Sequence, residues 1–61
     1  MIDMLKLMMA HAVGQYGRDR FYTVTFGAST PIVRVFEDGD QRIQLCEFWA
    51  VNDVIHEKKL Y

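Results

Sequence analysis

The stretch EFWAVNDVIHEKK, residues 47–59, decides the fold of this 61-residue chain. Read as a helix, it opens on Glu47 and closes on His56, Lys58 and Lys59, which suits the helix dipole, and it sets Phe48, Val51, Asn52 and Ile55 on one face. Read from Gln41 to Val51 instead, the alternation continues as one long strand, and no Ser, Thr, Asp or Asn caps a helix that begins at Glu47. The helix is the preferred reading and the continued strand its alternative.

Upstream, Glu37-Asp38-Gly39-Asp40 carries the turn chemistry of a tight hairpin, with Gly39 able to take a positive φ. Parity chooses the loop. A two-residue loop at Asp38-Gly39 mixes apolar and polar side chains on both faces. A three-residue loop, Glu37-Asp38-Gly39, groups Val33, Val35, Ile43 and Leu45 on one face and leaves Ile32, Arg34 and Phe36 beside Arg42 and Gln44 on the other. Residues 32–36 are therefore a strand. So are residues 20–26, where Tyr22, Val24 and Phe26 face one way and Phe21, Thr23 and Thr25 the other. Residues 27–31, ending in Pro31, join the two as a turn.

At the start, Ile2, Leu5, Met9, Ala12, Val13 and Tyr16 recur at helical spacing, and Gly14 and Gly17 mark its end. Met4, Leu7 and Met8 are apolar as well, so the stripe is wider than one packing surface needs. The expected fold is α+β: an N-terminal helix, a three-stranded antiparallel meander sheet and a C-terminal helix, in one domain covering residues 1–61.

Composition bounds the function. Half of the chain is apolar (51%) and a quarter charged, which is a globular composition. A chain this short buries only about 60% of its unfolded surface, so apolar surface is left over. A net charge of -1 gives no overall attraction to nucleic acid or to an anionic membrane, and no apolar run approaches a membrane span. Lone Cys46 excludes an internal disulfide framework and, with no targeting segment legible, points to the cytoplasm.

No catalytic, cofactor or metal site is expected. His11, Cys46 and His56 stand singly on three elements, without the paired spacing of a zinc site. The acidic tip at 37–40 lacks the alternating ligands and distal Glu of a calcium loop. A lone Cys among apolar residues reads as a buried side chain rather than a nucleophile.

The function expected is a non-enzymatic protein–protein interaction module, an inhibitor, adaptor or accessory subunit that forms a homodimer or docks on a larger protein. Such brevity suits the small inhibitors encoded by phages and mobile elements. The partner-binding residues expected are Met4, Met8, Tyr22, Arg34, Phe36 and Trp49: a Met-rich helix that adapts to a surface, aromatic anchors, and an arginine on the less apolar sheet face. The alternative is a small nucleic-acid-binding regulator, in which Arg18, Arg20, Arg34 and Arg42 contact phosphates and the interleaved aromatics stack on bases.

Overall fold

The computed structural model describes residues 3–26 and 31–61, as one helix and four strands: α1 (Met4–Tyr16), β1 (Phe21–Phe26), β2 (Pro31–Phe36), β3 (Gln44–Val51) and β4 (Val54–Lys59). Asp3 starts α1 as its N-cap. Its backbone is extended, its carboxylate accepts from the Lys6 amide at 3.2 Å, and its carbonyl accepts from the Leu7 amide at 3.1 Å. Gly17 stops the helix with φ 88, donating its amide to the Val13 carbonyl at 2.8 Å.

The strands form one antiparallel meander in the order β1-β2-β3-β4. The α+β class stands. The three-stranded sheet and the C-terminal helix do not, because β3 runs on through Phe48 and Trp49 to Val51 and the chain then reverses at Asn52-Asp53 into β4. Both turn residues hold positive φ, 51 and 62, the conformation of the two-residue hairpin turn whose twist matches that of the strands it joins. Asn and Asp tolerate it better than other residues with a Cβ.

Magnitudes explain why the helix loses. Charges that match a helix dipole contribute about 0.3–1 kcal/mol each and are screened by salt. Burying Phe48 under α1 is worth about 1.5–3 kcal/mol, and the strand adds a ladder of backbone pairs to β2 on one side and β4 on the other.

The register of β2 with β3 also differs from the expected one. Val33 stands opposite Phe48 and Val35 opposite Cys46, with a shift after Val35 that puts Phe36 opposite Gln44. The connection is the loop 37–43, closed by the Glu37 amide donating to the Ile43 carbonyl at 3.0 Å, and not a three-residue loop. Within it the Asp38 carboxylate accepts from the Asp40 amide at 3.0 Å and the Asp38 carbonyl from the Gln41 amide at 3.2 Å. Gln41, with φ 57, takes the left-handed conformation expected of Gly39. Changing the parity brings Cys46, Phe48 and Ala50 to the helix side, while Ile43 falls in the loop and Leu45 reaches only the margin of the core. That set includes the large aromatic ring that α1 covers. The turn expected at 27–31 lies, apart from Pro31, outside the described residues.

The core is one layer between α1 and the sheet: Met8 and Ala12 from the helix, Val33 and Val35 from β2, Cys46, Phe48 and Ala50 from β3. Phe48 is its centre. The His11 ring meets it edge-on at 5.4 Å between centroids, and the Tyr16 ring at 6.4 Å. Met4, Leu5, Met9, Tyr16, Tyr22, Leu45 and Ile55 pack around the margin. The folded chain keeps 4452 Å² of accessible surface, against roughly 10,000 Å² for an unfolded chain of this mass. Burial is thus at the low end for a folded domain. No described helix is long and apolar enough to cross a membrane.

Candidate functional site

One helix cannot cover both faces of a four-stranded sheet. Strand alternation and the pairing registers place Tyr22, Val24, Val33, Val35, Cys46, Phe48, Ala50, Ile55 and Glu57 on the α1 side. The opposite face carries Phe21, Thr23 and Thr25 from β1, Ile32, Arg34 and Phe36 from β2, Glu47, Trp49 and Val51 from β3, and Val54, His56 and Lys58 from β4. Among the described residues no helix lies over this face.

Arg34 organises the middle of the open face. Its Nη1 donates to Thr25 Oγ1 at 2.9 Å, and its Nε lies 3.6 Å from Glu47 Oε2. Both members of the ion pair remain partly exposed, so the pair orients Arg34 more than it stabilises the fold. Beside them, the Trp49 ring stacks nearly parallel on His56, with centroids 5.8 Å apart. At the far end Val51 faces Val54, both exposed. The surface is therefore an apolar band with one oriented cation–carboxylate pair in it, bordered by Lys58 opposite Glu47.

At its other end the face is closed by the chain itself. Phe21 packs against Phe36 with ring centroids 6.4 Å apart, and a Cβ placed on Gly39 would lie 3.8 Å from the Phe21 ring, so the 37–43 loop rests against this pair. Phe36 is buried as a result.

The six residues expected to bind a partner thus divide. Arg34 and Trp49 share the open face. Phe36 starts on it but is buried. Met8 is fully buried in the core, which removes it from any contact surface of the folded chain, and Met4 packs half-buried at the core margin. Tyr22 is on the helix side, where its hydroxyl donates to the Gly17 carbonyl and ties β1 to the end of α1. The helix is wide in apolar residues because Met4, Leu5, Met8, Met9, Ala12 and Tyr16 all reach the core layer; Leu7, 49% exposed, is the large apolar side chain that points away, and Ala10 is exposed as well.

The arginine and aromatic set is not gathered. Tyr16 and Tyr22 lie on the covered side, Phe36 is buried, Arg34 is held by Glu47, and Arg42 is exposed in the 37–43 loop. Among the described residues, no three His, Cys, Asp or Glu side chains converge to hold a metal ion.

A small polar cluster sits under the end of α1. The Cys46 thiol lies 3.7 Å from Glu57 Oε2, to which it donates, and Gln15 Nε2 donates to the same oxygen at 3.2 Å. Burial, chiefly, pushes the Cys46 thiol up from its ordinary value, and the nearby Glu57 carboxylate adds to it. Burial and the sulfur together push the Tyr16 hydroxyl up to about 12. A thiol that is fully buried and held protonated has neither the access nor the thiolate of a nucleophile. The cluster instead joins α1 to β3 and β4.

Sequence reasoning placed Ile32 on this face but missed Val51, Val54 and His56. The signal was the Asn52-Asp53 pair between two β-rich runs, which marks a hairpin and thereby brings His56 beside Trp49. Comparison of the chain with protein-family models, with curated proteins and with solved structures gives no match.

Proposed function

We propose that this protein is a non-enzymatic contact module, an inhibitor, adaptor or accessory subunit, whose open sheet face docks on another protein. The observation that carries the reading is the unbalanced layering: one 13-residue helix serves a four-stranded sheet, so the band through Ile32, Trp49, Val51 and Val54 has no cover among the described residues. Trp is the residue most enriched at interface hot spots, and a central charged pair already held in place costs little ordering on binding. With Arg34 and Lys58 against Glu47, the face carries a small excess of positive charge. It fits a partner whose contact patch is apolar at the centre and acidic at the rim.

The test is a photo-crosslinking amino acid placed at Ile32 in the cells that make the protein. One stoichiometric crosslinked protein is expected, and it should disappear when Trp49→Ala is added while the circular dichroism spectrum of the fold persists. A probe at Ile32 that captures no protein, or a capture indifferent to Trp49→Ala, overturns the reading.

A further inference from the structure

The two edges of the sheet are chemically unlike. β4 offers His56, Glu57, Lys58 and Lys59, and charges on an edge strand oppose pairing with another chain. β1 is Phe21-Tyr22-Thr23-Val24-Thr25-Phe26: six β-forming residues with no charge, no proline and an uninterrupted register with β2. Among the described residues, nothing pairs with its outer edge. Apolar surface accompanies the free backbone groups. Val24 and Phe26 point to the helix side, but α1 lies over β2 and β3, leaving Val24 37% and Phe26 72% exposed.

A two-fold interface brings each residue i against j and j against i. If the axis stands perpendicular to the sheet, antiparallel pairing keeps side chains of the same face together, so i and j share parity. Centred on Val24, the pairing sets Val24 against Val24 of the second copy, Thr23 against Thr25, and Tyr22 against Phe26. Like-with-like Thr pairs, aromatic pairs and β-branched pairs are the favourable cross-strand combinations, and β1 is near-palindromic about Val24 in this chemistry.

We infer that β1 is the seam of a homodimer, in which two copies pair antiparallel about Val24 into one eight-stranded sheet with both α1 helices on the same side. The seam uses the hydrogen-bonding edge that β1 leaves open and adds the Val24 and Phe26 rows of the two copies to one apolar strip between the helices. Arg18 and Arg20, which precede β1, fall at opposite ends of the seam and do not meet their copies. Once the pair forms, both outer edges of the sheet are the charged β4 strands, so assembly stops at two. The occupant is a second copy and not a generic strand because the sequence complementary to β1 is β1 itself. The inference develops the self-association that leftover surface suggested and does not use the open face proposed for docking.

Light scattering during size-exclusion chromatography tests it, together with oxidative crosslinking of variants that add one exposed cysteine to the buried Cys46. At tens of micromolar the protein should elute with twice the 7.2 kDa of the chain. Val24→Lys, which puts two ammonium groups face to face at the axis, should elute at the monomer mass with an unchanged circular dichroism spectrum. Should Val24→Lys fail to fold, Val24→Cys remains decisive: it should crosslink to itself on mild oxidation, whereas His56→Cys on β4 should not. A monomeric wild-type protein, a dimer whose mass Val24→Lys leaves unchanged, or self-crosslinking through His56→Cys but not Val24→Cys overturns the seam. Crosslinking from Ile32 in the Val24→Lys protein separates the two readings. Partner capture by that monomer leaves the open-face docking intact whatever becomes of the seam.

Discussion

Val33 on β2 stands directly opposite Phe48 on β3, and both side chains are fully buried beneath α1. Trp49, the next residue, points the other way and stacks on His56. One residue of chain separates the centre of the core from the centre of the open face. Phe48→Ala should therefore cost about 3–5 kcal/mol, a large part of the total stability of so small a domain, while Trp49→Ala should cost clearly less. Urea unfolding followed by circular dichroism measures both. Equal losses would mean that the faces of β3 are assigned wrongly.

The β3–β4 hairpin depends on two residues at positive φ, Asn52 and Asp53. Asp53→Gly should raise the urea midpoint slightly, because glycine takes φ 62 without a Cβ clash. Asn52→Val should lower stability by about 1–2 kcal/mol, since a β-branched residue strongly resists that conformation. If this segment were helical, the glycine would instead lower stability by about 0.5–1 kcal/mol.

Gly14 and Gly17, three residues apart, should respond to alanine with opposite signs. Gly14 is an exposed position within α1, where a Cβ would meet nothing within 4 Å, so Gly14→Ala should stabilise by about 0.5–1 kcal/mol. A Cβ at Gly17 also meets open space, but φ there is 88, so Gly17→Ala should destabilise through the backbone alone. Thermal melts of the two variants report the signs.

Alkali should unfold the protein. Burial raises the Cys46 thiol, the Tyr22 hydroxyl and, to about 12, the Tyr16 hydroxyl, so the folded chain keeps protons that the unfolded chain releases. Below pH 9 both states are protonated and the stability is fully present. It is lost as pH rises from the ordinary thiol value of 9.0 toward the folded Tyr16 value. Urea midpoints at pH 8, 10 and 11 should fall in that order, less steeply for Tyr16→Phe. At pH 8 a thiol reagent should modify Cys46 only in denaturant; rapid labelling of the native protein would contradict its burial.

Much of the framework was legible in the sequence. The helical spacing through Leu5, Met9 and Tyr16 placed α1 correctly to within two residues, since periodicity is a local property. The two faces of β1 and the membership of Ile32, Arg34 and Phe36 on one side of β2 follow from alternation, and the pairings uphold them. Local signals misled where two of them competed. Around residues 47–59, dipole-matched charges argued for a helix and alternation through Val51 for a continued strand, the Asn52-Asp53 turn went unread, and only the existence of α1 as a covering layer makes the strand face of Phe48 the more stable choice.

Chemistry at single positions was determined by the chain itself: which residues can cap, turn, bury or carry charge, and that large apolar side chains outnumber what one small core needs. Which of those side chains are left over was decided only in three dimensions. Met8 and Phe36 were candidates for contact on composition and became buried, while Val24 and Phe26 became exposed because a single helix spans the two central strands and stops short of β1. A strand's alternation says that its two faces differ; which face is covered depends on the register, and a one-residue change in a loop reverses it.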